Sequence, residues 1–260
     1  MKNYGFIPPA ERLPEEYVLG GLSLLPREEL QPSGQWHEFL PVKEIQRNEK
    51  FDSYNCTAYA TLNCYEILFK KIFGSEKNWS ERFLGINAGT RPPGNDPHKV
   101  AEALRKKGSI PDEYMPFALA NTIEEYYAPD PPTPSMLLEG QKLLDEFEVK
   151  HEWVDGDAQS MMRALKFSPL GVAVYAWQQN AEELYARGGG DTHWTCVFGY
   201  EKDKFWLVYD SYDDSVKKLV WDFSFKYVKR YWLAKRTIAE KTSFFLTLWR
   251  WITSLFASKG

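Results

Sequence analysis

A cysteine, a histidine and an aspartate occur in an order and a setting that suit nucleophilic acyl transfer: Cys56, His193 and Asp210. A thiol becomes an effective nucleophile when its pKa is low, an imidazole lies close enough to take its proton, and a third group orients that imidazole. Cys56 falls in the first turn of a predicted helix, where the helix dipole and free N–H groups stabilise a thiolate. The alternative interpretation of Cys56 is a small buried residue in a helix, which is common for cysteine.

The histidine and the aspartate lie at the ends of two predicted strands. His193 follows the flexible stretch 188–192 (GGGDT) and begins a strand, so it can project into a cleft from a rigid support. Asp210 ends the next strand, and residues 201–203 between the two strands predict a hairpin turn. Antiparallel pairing about this turn places residues 193 and 210 opposite each other, with the carboxylate able to orient the imidazole. A packed histidine and an ordinary turn aspartate are the alternatives.

Two further cysteines and two of the histidines are assigned no role in chemistry. Cys64 lies inside the same predicted helix as Cys56, and Cys196 is in the middle of an apolar strand, so both are assigned to the core. His37 and His98 are assigned to the surface. The chain has no CxxC motif and no histidine pair with metal-ligand spacing, and the sequence therefore predicts neither a metal site nor a cofactor.

The elements that would position these side chains change in type along the chain. Helical spacing of apolar residues predicts a helix capped by Asn55 or Ser53 and ended by Gly74, over 55–73, and further helices over 98–107, 135–147 and 157–167. Residues 85–97 are predicted to form a loop. Short β-branched and aromatic runs predict strands over 171–177, 193–200, 204–212 and 217–223. A mostly helical first half and a mostly β second half predict an α+β fold with two lobes or layers.

The composition of the 260 residues excludes several classes of protein. An aromatic share of 16% and a net charge of −4 exclude intrinsic disorder, and the lack of a basic stripe argues against nucleic-acid binding. Three cysteines make no disulfide framework and fit a reducing compartment. The N-terminus has no apolar signal-peptide core, and no apolar run is long enough to span a bilayer. We therefore expect no signal peptide, no transmembrane helix and a cytoplasmic or virion-associated location.

Short motifs along residues 5–233 resemble, in order, those of the papain-like cysteine peptidases. The matching segments are the nucleophile segment (55–60, NCTAYA), the histidine block (193–200), the Asp210-Ser211-Tyr212 segment in the place of Asn-Ser-Trp, the strand before the histidine loop (168–174), the glycine-rich wall with its helix (94–117) and the N-terminal arm of bacterial members (5–17). On these motifs the chain resembles a divergent bacterial or phage-type member of the family.

The resemblance implies a two-lobe papain-like fold, with the nucleophile helix in an N-terminal helical lobe and an antiparallel β lobe after it. It implies cleavage of peptide bonds in a peptide or protein substrate. Cys56 would attack the carbonyl carbon, His193 would transfer the proton, and Asp210 would fix the tautomer of His193. Gln46 and the Cys56 N–H would hold the oxyanion. The resemblance assigns substrate contacts to Gly94, Asn95 and Gly171.

Two residues that precede Cys56 in the chain, Lys50 and Ser53, depart from the family pattern. The usual oxyanion glutamine stands where this chain has Lys50, and an insertion over 47–50 would transfer that role to Gln46. Ser53 replaces a family cysteine, so the corresponding disulfide cannot form.

The chain divides into an extended arm (1–41), a catalytic domain (42–235) and an aromatic C-terminal tail (236–260). Within the catalytic domain, the helical lobe is predicted over 42–150 and the β-rich lobe over 151–235. Phe244–Phe256 in the tail is too short to span a bilayer but could form an amphipathic helix. Docking to a membrane surface or a protein, oligomerisation, and packing on its own domain all stay open for this segment.

Three other functions stay open as well. The substitutions around the triad leave room for a catalytically inactive binding protein with the peptidase fold, or for a structural protein, which could be virion-associated. An aspartate in third place and the order His193, Trp194, Trp206, Asp210 also resemble transglutaminase-like acyl transferases. Against that third function stand the 137-residue separation of Cys56 and His193 and the papain-like segment 94–117.

Overall fold

The computed structural model describes residues 3–9, 18–19, 25–213 and 216–237, so the segment Phe244–Phe256 lies outside the described residues and its predicted docking role stays a prediction. Within these ranges the helices are α1 (Cys56–Phe73), α2 (Glu81–Ala88), α3 (Pro97–Lys107), α4 (Ile123–Tyr126), α5 (Pro134–Glu146) and α6 (Ala158–Leu165). The strands are β1 (Gly5–Phe6), β2 (Gly94–Asn95), β3 (Phe147–Val154), β4 (Leu170–Val174), β5 (His193–Glu201), β6 (Phe205–Tyr209), β7 (Val216–Val220) and β8 (Val228–Lys235).

Six of the strands form one antiparallel sheet in the order β3-β8-β4-β5-β6-β7. Helices α1 to α5 precede this sheet in the chain, which gives the α+β arrangement that the sequence predicts. The predicted strands over 171–177, 193–200, 204–212 and 217–223 are present as β4 to β7, with ends shifted by a few residues.

Helix α1 is the central helix of the core because it is buried on every side. All residues from Cys56 to Phe69 are buried, and the helix packs against β5 and α3. A helix with no solvent-facing stripe is held by apolar contacts around its whole circumference, which fixes the position of its first residue. Gly74 ends the helix in the left-handed conformation, with φ at 68°, as the sequence predicts.

The predicted loop over 85–97 is wrong in its first part, which belongs to α2. Ser80 caps the start of α2 with its side chain, and Gly89 ends the helix in the left-handed conformation. Gly85, which suggests a loop in the sequence, instead allows α2 to approach Asn55 closely. A Cβ at Gly85 would lie 2.6 Å from the Asn55 Oδ1 atom.

Two strands of the sheet, β3 and β8, are not anticipated by the sequence. Both carry charged side chains into the interior, where Glu152 of β3 and Arg230 of β8 are each 1% exposed and form an ion pair. A buried charge is stable only when it is paired, and the pairing cannot be read from either segment alone. Strand β3 also runs across the predicted lobe boundary at 150/151, and the division into lobes stays a prediction.

The N-terminal residues 3–9 lie extended along the body of the protein. Strand β1 pairs in parallel with β2, so that Gly5 lies opposite Gly94 and Phe6 lies opposite Asn95. Across the described ranges, no helix combines the length and the apolar character needed to cross a membrane.

Candidate active site

Cys56 is the first residue of α1 and is fully buried. Neither Asn55 nor Ser53 caps this helix with its side chain, so that part of the sequence prediction is wrong. Asn55 Nδ2 donates instead to the Glu81 carbonyl oxygen at 2.7 Å, and Ser53 Oγ donates to the Gln46 carbonyl oxygen at 2.8 Å. No side chain therefore caps the first turn of α1. The Ala58 N–H donates to the Asn55 carbonyl oxygen at 2.9 Å, which leaves the Cys56 and Thr57 N–H groups for an anion at the start of the helix.

His193 and Asp210, which the sequence places together, are hydrogen-bonded to each other. Nε2 of His193 lies 2.6 Å from Oδ1 of Asp210, and both residues are fully buried. The hairpin register pairs Cys196 with Tyr209, so the aspartate reaches the imidazole diagonally rather than from directly opposite. A carboxylate on Nε2 fixes the tautomer of the ring and stabilises its protonated form.

The other ring nitrogen of His193, Nδ1, is buried and has no hydrogen-bond partner among the described residues. The next residue, Trp194, donates its backbone N–H to Cys56 Sγ at 3.4 Å. The start of β5 therefore lies against the start of α1. Because Asp210 holds Nε2, Nδ1 is the ring nitrogen without a hydrogen bond among the described residues, and the Cys56 sulfur is not bonded to it in this structure.

Asp210 is held from a second side by Lys217, a residue that the sequence motifs do not single out. Lys217 on β7 is 1% exposed, and its Nζ donates to Asp210 Oδ2 at 2.8 Å. Burial alone would raise the pKa of Asp210, but His193 and Lys217 outweigh burial and hold that pKa below its usual range. The alternation of side chains along β7 could have indicated that Lys217 is buried, because it places Lys217 on the same face of the strand as the apolar Leu219.

Replacing Lys217 with methionine is expected to lower the free energy of unfolding by about 3 kcal/mol at neutral pH, because it removes one partner of a buried ion pair. Denaturant unfolding measures this change. The matched control is Lys218→Met, which alters the neighbouring lysine on the exposed face of β7 and is expected to cost less than about 0.5 kcal/mol. Equal losses in the two variants would show that Lys217 does not stabilise the Asp210 carboxylate.

Gln46 is fully buried beside the histidine–aspartate pair. Its Nε2 donates to the Tyr4 carbonyl oxygen and to Asp52 Oδ1, both at 3.1 Å. Its Oε1 accepts from Ser211 Oγ at 2.9 Å, and Ser211 directly follows Asp210. Since both of these Nε2 hydrogen bonds are internal, donation to an oxyanion requires Tyr4 to move away, and the oxyanion role of Gln46 stays a prediction.

Gly94 and Asn95, which are predicted to contact substrate, bind an extended peptide in this structure, namely the chain's own arm. The Ile7 N–H donates to the Asn95 carbonyl oxygen at 3.0 Å. A Cβ at Gly94 would lie 2.1 Å from the Gly5 carbonyl oxygen, so only glycine allows this close approach. Strand β2 is therefore an edge to which an extended chain can add.

Gly171, Cys64, Cys196 and His98 are the other residues singled out from the sequence. Gly171 of β4 lies beneath Trp194, because a Cβ there would be 2.8 Å from the indole ring. Cys64 and Cys196 are fully buried in the core, as predicted, with their Sγ atoms 3.5 Å apart. The prediction that His98 lies on the surface is wrong, because its ring is half-buried against aromatic side chains of β3.

The backbone of the N-terminal arm passes directly over the Cys56 sulfur. The Tyr4 N–H donates to the Thr192 carbonyl oxygen at 2.9 Å, next to the catalytic histidine candidate. A Cβ at Gly5 would lie 3.0 Å from Cys56 Sγ. The arm therefore lies between β2 on one side and the start of β5 on the other, and it covers the Cys56 sulfur.

Phe6 anchors the arm in an aromatic pocket beside the sulfur. Its ring is fully buried and stacks on Trp194, with ring centroids 5.8 Å apart and planes 7° from parallel. Phe6 belongs to a small cluster that also contains Cys56 and Ala173 and is separate from the main core. Burial raises the pKa of the Cys56 thiol well above its usual value, so the covered site holds a protonated, weakly reactive thiol.

A cysteine at the start of a central helix, packed against an antiparallel sheet whose hairpin carries a paired histidine and aspartate, is the arrangement of a papain-like peptidase fold. Comparison with protein-family models finds no match, and comparison with curated proteins finds none. Comparison with solved structures gives matches to cysteine proteases of the papain-like fold.

Three of these structures illustrate the similarity. Procathepsin L 3 of Tenebrio molitor larval midgut is 14% identical, with 87% of this chain and 75% of that chain covered at a TM-score of 0.57. The clostridial cysteine protease Cwp84 after propeptide cleavage is 14% identical over 77% of this chain, at a TM-score of 0.60, and 57% of its own chain is covered. Bromelain from Ananas comosus is 18% identical, with 77% of this chain and 96% of that chain covered, at a TM-score of 0.52. The chain thus has the papain-like fold, and at these identities the comparison shows the fold alone.

Proposed function

We propose that the chain is a cysteine peptidase that cleaves peptide bonds through Cys56, His193 and Asp210. The observation that carries the proposal is the 2.6 Å hydrogen bond between His193 Nε2 and Asp210 Oδ1, formed beside a cysteine that begins a helix. This pairing supports a role for His193 Nδ1 as the atom that exchanges a proton with the thiol. The papain-like fold supports the same assignment of roles.

The proposed reaction is acyl transfer in two stages. Nδ1 of His193 takes the proton from Cys56 Sγ, and the sulfur forms a bond to the carbonyl carbon while the carbonyl electrons move to oxygen. The imidazolium then gives its proton to the leaving amine as the C–N bond breaks. A water molecule that loses its proton to the same imidazole hydrolyses the thioester and restores the thiol. Asp210 holds the Nε2–H group throughout and stabilises the positive charge on the ring.

The negative charge on the carbonyl oxygen requires donors close to the sulfur. The Cys56 N–H lies at the start of α1, where backbone N–H groups have no intrahelical acceptor. Gln46 Nε2 provides a second donor once the Tyr4 carbonyl oxygen has left it. Preorganised donors of this kind stabilise the charge where it develops.

The arm indicates how a substrate would bind. It uses two backbone acceptors on either side of the sulfur, the carbonyl oxygens of Thr192 and Asn95. An extended substrate can take over these hydrogen bonds when the arm leaves, because they involve backbone atoms only. The proposed substrate is therefore an extended segment of a peptide or protein, and the covered structure is the resting state.

Covalent labelling tests this function. An epoxide or iodoacetamide probe, followed by peptide mapping, is expected to label Cys56 and to spare Cys64 and Cys196, which are fully buried in the core. Labelling of the full chain is expected to be slow, because the arm covers the sulfur. Labelling of Cys64 or Cys196 ahead of Cys56 would contradict the proposal. An unreactive Cys56 in a chain that lacks residues 1–9 would instead favour a catalytically inactive binding protein.

A further inference from the structure

Three carboxylates from separate parts of the chain converge beside α1, and none of them is assigned a role in the proposed reaction. Glu44 lies in the segment before α1, Glu81 is the first residue of α2, and Asp112 begins a short 3-10 turn. One carboxylate oxygen of each residue lies within 4.8 Å of those of the other two. Glu66 of α1 is buried close enough to interact electrostatically with Glu44 and Asp112. We call Glu44, Glu66, Glu81 and Asp112 the acidic cluster.

The negative charge of the acidic cluster is not balanced by basic side chains. Within the described ranges, none of its four carboxylates forms a salt bridge with a lysine, arginine or histidine. Glu81 is only 2% exposed, and its Oε1 atom has no hydrogen-bond partner among the described residues. Buried carboxylates in such contact require a proton or a cation among them.

We propose that the acidic cluster binds one divalent cation, with Ca²⁺ preferred, through carboxylate oxygens of Glu44, Glu81 and Asp112. All the donor atoms are oxygens, which suit hard cations rather than metals that prefer thiolate or imidazole. Ca²⁺ binds oxygen at about 2.3–2.6 Å, so oxygens on opposite sides of the ion lie about 5 Å apart. The observed separations of up to 4.8 Å fit that distance. Mg²⁺, with bonds of about 2.1 Å, would need the carboxylates to move closer together.

Water can complete the coordination shell of the ion. Ca²⁺ takes six to eight oxygen ligands, so three carboxylates leave positions for further oxygens. Glu44 and Asp112 are only partly buried, so water molecules from solvent can reach an ion held between them.

A cation at this position would connect the segments that place the proposed catalytic groups. Glu44 lies on the segment that leads to Gln46. The Glu81 carbonyl oxygen accepts from Asn55 Nδ2 at 2.7 Å, and Asn55 directly precedes Cys56. The ion would therefore stabilise the structure around the start of α1 without contacting the reacting atoms.

Calcium titration of the full chain, after treatment with a chelator, tests the site. We expect calorimetry to detect one Ca²⁺ per chain, and the melting temperature to rise by roughly 5–10 °C when Ca²⁺ is a hundredfold above its Kd. Glu81→Gln removes the buried charged ligand and is expected to abolish both effects. The matched control, Glu113→Gln, alters the exposed neighbour of Asp112 and is expected to retain both.

Three results would overturn the proposal. A melting temperature of the wild-type chain that does not respond to Ca²⁺ would show that the carboxylates share a proton instead. Tighter binding of Mg²⁺ than of Ca²⁺, or retention of the calcium response by Glu81→Gln, would also be incompatible with it. If Glu81→Gln does not fold, Glu44→Gln provides the second variant and must lose the response. The Cys56→Ala variant is expected to bind Ca²⁺ like the wild type, so this test does not depend on peptidase activity.

Discussion

Replacing Cys56 with alanine is expected to lower peptide hydrolysis by at least about 10³-fold and to abolish labelling by an epoxide probe. The substitution removes the sulfur that forms the acyl intermediate, and His193 then has no thiol proton to take. The measurement is best made in a background with the arm released by Phe6→Ala, so that the parent rate is large enough to quantify. The rate constant kcat for a fluorogenic peptide and the mass of the labelled chain are the two readouts.

The two core cysteines provide matched controls for this substitution. Cys64→Ala and Cys196→Ala also remove a buried thiol, but their sulfur atoms contact each other in the core and not the start of α1. We expect both variants to lose stability by about 1 kcal/mol and to keep the parent rate. Hydrolysis that survives in Cys56→Ala, or that is lost in a folded Cys64→Ala variant, would be incompatible with the assigned nucleophile.

The histidine–aspartate contact could be predicted because the two residues are joined by a short hairpin. Local strand and turn signals between residues 193 and 210 predict which side chains meet. The observed register differs only in that Asp210 lies diagonally across from His193 instead of directly opposite. The helix that begins at Cys56 could be predicted in the same way, from apolar spacing and the terminating Gly74. Both features depend on residues that are close in sequence.

Features that depend on distant segments could not be predicted in this way. The arm over Cys56 is held by β2 and by the start of β5, and nothing in residues 3–9 alone indicates that contact. The acidic cluster gathers Glu44, Glu81 and Asp112 from three segments with no common spacing. The sequence prediction of no metal site considered cysteine and histidine spacing, which gives no information on carboxylates that meet only in the folded chain.

Releasing the N-terminal arm is expected to speed alkylation of Cys56 by about ten- to a hundredfold in Phe6→Ala and by more in a chain that lacks residues 1–9. Phe6 is fully buried on Trp194, and burying a phenylalanine side chain contributes about 1.5–3 kcal/mol. Each 1.4 kcal/mol lost from the closed state raises the open fraction about tenfold. Since Phe6 packs in the small cluster at the site and not in the main core, the fold itself is expected to persist.

The pH dependence of alkylation separates release of the arm from a general loosening of the protein. Burial raises the pKa of the Cys56 thiol, and the arm lies against its sulfur, so the covered chain is expected to react appreciably only at high pH. In Phe6→Ala the thiol regains solvent, its pKa falls, and the midpoint of the rate profile should move to lower pH. The control Pro8→Ala alters an exposed residue of the same arm and is expected to leave the alkylation rate and the midpoint of its pH profile unchanged.

A faster rate with an unchanged midpoint would mean that the arm blocks access to Cys56 without controlling ionisation of its thiol. If the rate is unchanged both in Phe6→Ala and in the chain that lacks residues 1–9, the arm is not a barrier to alkylation. The low reactivity of Cys56 would then have to come from the triad itself.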